Sequence, residues 1–215
     1  MSFIKKFFIT LVALDVLLIV LHFLFGSRFD LLHLDRERTF ATYYSGLKLM
    51  AIAVFGIGAM VLSRRRWDRV LWAAFSFLFA GLSFDEVSEL HENVAYYFNT
   101  YVHLPSWFSS PTYNWLVFLS PAILGAFAFL CYFFFRLSYE SRGIRYLLWS
   151  GFIFFLGAVA SEMVSGVMVF DIRRYIPWLF IVEESFEMFG ATVLVVGIAA
   201  LAKHYFEKQY MLRNI

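Results

Sequence analysis

The chain has 215 residues, of which 61% are hydrophobic, 21% aromatic and only 16% charged, with a formal net charge of +2. A soluble domain carries about a quarter charged residues, and several apolar runs here are long enough to cross a bilayer. These features exclude a soluble globular protein. The single cysteine, Cys131, excludes a disulfide framework and a thiolate metal site. No Walker, dinucleotide-binding or catalytic-triad motif occurs, and we expect no nucleic-acid partner.

Six apolar runs predict an all-α integral membrane bundle that forms one transmembrane domain over residues 1–215. The first run resembles a signal peptide, but it is long and no small-x-small cleavage site follows it, so we expect an uncleaved span. Thr39 or Thr42 is the expected N-cap of the second span. The predicted spans are approximately 4–25, 43–62, 67–94, 115–135, 146–170 and 181–202.

The distribution of charge predicts the orientation of these spans. Twelve of the 18 Lys and Arg residues fall on one side of the predicted bundle, five fall on the other, and Lys48 lies within a span. The positive-inside rule then places both termini in the cytoplasm of a bacterial inner membrane, in a multi-pass topology. Twelve of the 16 Asp and Glu residues lie in the opposite, outer half or beyond it.

The most unusual stretch is LSFDEVSELHE, residues 82–92, which ends the third span. On a helix, Asp85, Glu89 and Glu92 share one face. Counting about 1.5 Å per residue from the cytoplasmic boundaries places Asp85 at about 27 Å, and Glu162 and Glu187 at roughly 24 Å. All therefore lie near the outer edge of a hydrocarbon core about 30 Å thick. Small residues beside Glu162 predict that it faces other helices, so we expect an acidic chamber that opens outward.

Clustered carboxylates in a low dielectric need compensating positive charge, which a divalent cation supplies. Helix bundles that hold two iron or manganese ions use glutamates and histidines from facing helices, although the usual Glu-x-x-His spacing is absent because residue 88 is Ser. Fe, Mn, Ca or Mg would suit such oxygen-rich ligation. The predicted metal ligands are Asp85, Glu89, His91, Glu162, Glu184 and Glu187, with Glu86, Glu92, Glu183, Tyr44, Lys48 and His22 as a second shell or rim.

Three functions follow from this pattern. The first is a membrane-embedded metalloenzyme that acts on a lipid-accessible substrate. The second is a proton- or cation-coupled transporter in which Asp15 relays protons and Lys48 or Asp15 is a charge switch, although no inverted repeat is visible. The third is a structural membrane subunit, in which Glu183 and Glu184 cap the last helix and residues 85–92 pair with arginines. Membrane lipids are expected partners; a homo-oligomer and a membrane partner protein are both left open.

The acidic motifs also carry a resemblance. An S-x-D-E…H-E pattern on the third span, a later Glu in a Gly-rich span and E-E-x-x-E near the last span resemble a loose family of uncharacterised small bacterial polytopic membrane proteins. The resemblance covers most of the chain from about Asp35 onwards. It implies a multi-pass membrane location and names no substrate. The matching positions are Asp85, Glu86, His91, Glu92, Glu162, Glu183, Glu184 and Glu187.

Overall fold

The structure, a computed structural model, describes residues 3–34, 38–90, 93–94, 97, 111–137, 142–170 and 177–213. These residues form six α-helices and a short 3-10 turn, with no β-strand among them, which confirms the predicted all-α class. Every one of the six helices contains a segment long and apolar enough to cross a membrane, so the protein is polytopic. The helices are α1 (Phe3–Phe25), α2 (Phe40–Leu62), α3 (Arg66–Ser88), α4 (Pro111–Leu137), α5 (Arg142–Phe170) and α6 (Pro177–Arg213).

Local capping chemistry sets the ends of α2 and α3. Thr39 precedes α2 in an extended conformation, and its hydroxyl accepts a hydrogen bond from the backbone N–H of Thr42 at 3.4 Å, so Thr39 is the N-cap. α3 ends at Ser88, whereas the third predicted span continues to residue 94. The reason is Glu89, which adopts a left-handed conformation (φ 56°) that terminates the helix.

α6 is the central helix of the bundle. It packs against α1, α2 and α5, while α2 also packs along α3, and α4 contacts α5 and α3. In the membrane-crossing segments, 67% of the α6 residues are buried but only 6% of the α1 residues. At Gly151 a Cβ atom would lie 2.6 Å from Leu194 Cγ, so α5 and α6 approach each other closely because residue 151 has no side chain.

Large aromatic side chains fill the main core, near the end of the bundle at which α1 begins. The rings of Phe75 and Phe133 stack with centroids 4.5 Å apart, and Trp72 meets Phe133 edge to face at 4.8 Å. Beside them Arg136 donates a hydrogen bond to Asp68 at 2.8 Å, which joins the end of α4 to the start of α3. This end also holds the turn between α2 and α3, since that turn leads directly into α3.

A second, smaller apolar cluster lies towards the opposite end of the bundle. We call it the outer cluster; it combines three buried residues with three partly buried ones that pack on them. Its members come from α1, α2, α6 and the segment after the 3-10 turn, so it ties the connection between α1 and α2 to the central helix. The outer cluster consists of Leu34, Ala41, Met188, Leu18, Ile19 and Ile181.

Candidate functional site

An ion pair is buried between the first two helices. Lys48 Nζ of α2 lies 2.8 Å from Asp15 Oδ1 of α1, and the two residues are 3% and 0% exposed. Both helices are candidate membrane spans. An isolated charge at such a position costs several kcal/mol even after relaxation of its surroundings. The two opposite charges therefore stabilise each other at a position that is shielded from solvent.

The central helix completes the hydrogen bonding of this pair. Lys48 Nζ also donates to the carbonyl oxygen of Met188 at 2.8 Å and to Thr192 Oγ1 at 3.3 Å. Thr192 Oγ1 in turn donates to Asp15 Oδ2 at 2.7 Å. An ammonium group has three donors, and here each donor has an acceptor, while both carboxylate oxygens of Asp15 are bonded. The network holds α1, α2 and α6 together.

Tyr44 extends the network by one helical turn of α2. Lys48 Nζ lies 4.2 Å from the centroid of the Tyr44 ring, a distance at which the ring face attracts a cation. The Tyr44 hydroxyl donates to the carbonyl oxygen of Leu11 at 3.1 Å, so it makes a second contact between α2 and α1. The predicted rim residues Tyr44 and Lys48 are thus part of one arrangement with the predicted relay residue Asp15.

Apolar side chains border this ion pair on both sides along the bundle. Leu49 and Ile52, which follow Lys48 on α2, belong to the main core. Ala41, about two turns before Lys48 on α2, belongs to the outer cluster. The side chain of Met188, whose carbonyl oxygen accepts from Lys48, belongs to it as well. The ion pair is consequently separated by packed side chains from the two ends of the bundle.

Two of the predicted outer acids lie near this pair. The side chains of Glu86 on α3 and Glu187 on α6 are within electrostatic range of the Lys48 ammonium group. Glu86 is half-buried, and its Cγ lies 3.8 Å from the position of a Cβ at Gly46, so it packs towards α2. Ser83 Oγ, one turn earlier, donates to the carbonyl oxygen of Gly46 at 2.8 Å and fixes α3 against α2.

Glu89, a predicted metal ligand, contacts an arginine in the structure. Glu89 Oε1 accepts a hydrogen bond from Arg38 Nε at 3.0 Å, and its backbone N–H donates to the carbonyl oxygen of Asp85 at 2.8 Å. Both Arg38 and Glu89 have positive φ values, 60° and 56°. The pair therefore joins the residue that follows α3 to the segment that precedes α2. The structural-subunit hypothesis predicts such a pairing of residues 85–92 with arginines.

The imidazole of His22 accepts a hydrogen bond from the backbone. Its Nδ1 accepts a hydrogen bond from the N–H of Leu34 at 3.1 Å, and its ring meets that of His33 edge to face, with centroids 4.8 Å apart. The contact positions Leu34 in the outer cluster. His22 thus connects α1 to the segment before α2.

The structure describes some of the other predicted ligand and rim residues but not all of them. Asp85, Glu162, Glu183 and Glu184 are half-buried, and His91 and Glu92 lie outside the described residues. Within the described ranges, no group of three or more His, Cys, Asp or Glu side chains has a geometry that could hold a metal ion. The predicted metal set includes His91, so the metal hypothesis stays a prediction.

Sequence reasoning identified Asp15 and Lys48 separately but did not pair them, and it missed Thr192. A signal was present: within the first two spans these are the only charged residues away from the ends, and they have opposite signs. Neighbouring antiparallel helices bring residues near their middles together. Thr192 carried no such signal, because a threonine in an apolar helix commonly bonds to its own backbone.

Comparison with known proteins gives a family and no activity. No curated protein and no solved structure matches the chain significantly. The sequence model of one family, described as Domain of unknown function (DUF8692), matches residues 7–202. That range includes Asp15, Lys48 and Thr192 as well as Asp85, Glu162, Glu184 and Glu187. The chain is therefore a member of the DUF8692 family of proteins of unknown function.

Proposed function

We propose that the protein couples the movement of protons or cations across the membrane to the opening and closing of the Asp15–Lys48 ion pair. The observation that carries this proposal is the burial of both charges inside membrane-crossing helices, with 0% and 3% exposure. Ionisable side chains at such depth are expensive, and they are characteristic of ion and proton pathways. If the pair is instead only a structural contact between helices, ion flux will be absent from the wild type or unchanged when the pair is removed.

A protonation step at Asp15 supplies the coupling. When a proton binds to the carboxylate, Asp15 becomes neutral and Lys48 loses its counter-charge. The ammonium group then retains only the acceptors on α6, Met188 and Thr192. A buried charge in that position is destabilised by several kcal/mol, which favours a state in which α1 has moved relative to α2 and α6. Release of the proton restores the pair.

The positions of two acids, on α3 and α6, support the proposal that protons or cations reach the ion pair from the outer side. Glu86 and Glu187 are within electrostatic range of Lys48 and lie in the end of the bundle predicted to face outward. Negative charge concentrated at the mouth of a low-dielectric site raises the local concentration of protons and cations. The inner-end acid Asp68 is instead bound to Arg136.

Flux measurements in proteoliposomes test this proposal. Wild-type protein should dissipate an imposed proton, sodium or potassium gradient faster than protein-free vesicles do. Asp15→Asn and Lys48→Met should each lose most of that flux. Asp68→Asn, which removes an ion pair at the rim of the bundle, is the matched control and should retain it. Flux that is absent from the wild type for all three ions, or equal in all variants, contradicts the proposal and favours a structural clamp.

A divalent-metal centre is the second candidate function, and one observation favours it. Carboxylates from two different helices, Glu86 of α3 and Glu187 of α6, act on the same lysine, so acids do converge near the outer half of the bundle. Elemental analysis of the detergent-purified protein tests this candidate. Stoichiometric Fe, Mn, Ca or Mg that is lost in Glu162→Gln/Glu187→Gln supports a metalloenzyme, whereas a metal-free wild type excludes it.

A further inference from the structure

Four arginines lie within six residues at the turn between α2 and α3. We call Arg64, Arg65, Arg66 and Arg69 the arginine cluster; all four are exposed. Within the described part of the chain none of them forms a salt bridge, and the neighbouring acid Asp68 is already bound to Arg136 at 2.8 Å. Among the described residues, the cluster therefore adds four positive charges without a paired acid to one end of the bundle.

Apolar side chains beside the cluster face outward. Val61, Trp67 and Val70 are 71%, 60% and 49% exposed. In a bundle whose helices cross a membrane, such side chains contact lipid, and tryptophan favours the level of the headgroups. A ligand that fills this surface has an anionic group for the arginines and hydrocarbon for the apolar residues.

The start of α3 adds a further attraction for anions. Its N-cap residue is Arg65, which makes no side-chain capping hydrogen bond. The first backbone N–H groups of a helix have no partners within the helix, and they point towards the positive end of the helix dipole. Here that end coincides with the arginine cluster, so both features favour a phosphate group at the same place.

We propose that the arginine cluster binds the phosphate-containing headgroup of an anionic phospholipid, whose acyl chains lie along Val61, Trp67 and Val70. The exposed apolar residues select a lipid over a soluble phosphate, because a soluble ion would leave them uncovered. Each basic residue near an anionic membrane surface strengthens the attraction for anionic lipid. Four of them suffice for a preference of more than about tenfold over a zwitterionic lipid. This inference is independent of the proposed ion coupling.

Native mass spectrometry of the full-length protein tests the lipid site. After incubation in detergent with equal amounts of phosphatidylglycerol and phosphatidylcholine, the wild type should retain phosphatidylglycerol at least about tenfold more often. Substitution of all four clustered arginines by Gln should abolish most of that preference. The matched control neutralises four other exposed basic residues at the same end of the bundle and should keep it. These control substitutions are Lys5→Gln, Lys6→Gln, Arg142→Gln and Lys208→Gln.

Three results would overturn the inference. The first is an unchanged preference in the fourfold Arg→Gln variant. The second is an equal loss in the control variant, which would indicate a general effect of charge. The third is displacement of the bound lipid by an equal concentration of inorganic phosphate. If the fourfold variant does not fold, the four single Arg→Gln variants replace it. Retention of phosphatidylglycerol should then fall in each single variant. It should also fall in the wild type as the salt concentration is raised. No change in either series also overturns it.

Discussion

Lys48 carries an ammonium group into a region where a membrane protein tolerates one only with several acceptors. Its three donors reach Asp15, the Met188 carbonyl and Thr192, and the Tyr44 ring lies 4.2 Å away. Removing one member of a buried ion pair is costly because the other charge is left unpaired, whereas removing both together is often nearly neutral. The pair is therefore strongly coupled in energy, and this coupling is measurable.

Stability measurements on single and double variants test that coupling. Asp15→Asn and Lys48→Met should each lower the free energy of unfolding by about 3–5 kcal/mol. The loss in free energy of unfolding of the double variant should be clearly smaller than the sum of the two single losses. Denaturant unfolding in detergent measures all three. Asp68→Asn is the control, since its pair with Arg136 has side chains 31% and 36% exposed and should contribute less than about 1 kcal/mol. Additive single effects would contradict a coupled pair.

At the scale of secondary-structure elements, the site depends on where α3 ends and on how α6 is placed. The positive φ of Glu89 ends α3 at Ser88, so Glu89 itself lies outside the helix that carries Asp85. α6 is mostly buried in its membrane-crossing segment and supplies two of the three acceptors of Lys48, Met188 and Thr192, which lie one turn apart on the same face. The central helix thus determines the geometry of the ion pair.

The helix end at Glu89 gives a prediction that separates backbone strain from side-chain chemistry. Glycine adopts the left-handed conformation without steric cost, whereas other residues pay for it. Glu89→Gly should therefore be about 1 kcal/mol more stable than Glu89→Ala, although both lose the contact with Arg38. Thermal unfolding in detergent measures the difference. Equal stability of the two variants would show that the conformation at residue 89 imposes no cost.

At the scale of the whole molecule, the sequence predicted six apolar helices and their order because hydrophobicity and length are local properties. It also predicted Thr39 as an N-cap candidate, since capping depends on near neighbours. The pairing of Asp15 with Lys48 and Thr192 was not predictable from local patterns. It depends on contacts between residues 33 and 177 positions apart, which are set by helix packing. The end of α3 was missed because a glutamate rarely takes a left-handed conformation.

The orientation of the bundle is a whole-molecule prediction that labelling can test. The excess of Lys and Arg at one end predicts that the turn between α2 and α3 faces the cytoplasm. In a Cys131→Ala background, a cysteine placed at Ser63 should react with a membrane-impermeant maleimide only after cells are opened. A cysteine placed at Arg28, after α1, should react in intact cells once the outer envelope is permeabilised. The reverse pattern would invert the predicted topology, and with it the side from which ions reach Asp15.

In the proposed mechanism, Asp15 takes up a proton when the ion pair opens. Infrared difference spectroscopy of reconstituted protein observes this directly, because a protonated carboxyl group has a C=O stretch that a carboxylate lacks. Lowering the pH on the outer side should produce such a band in the wild type and in Asp68→Asn, and the band should be missing in Asp15→Asn. A wild-type protein that transports ions without any Asp15-dependent carboxyl band would contradict this mechanism.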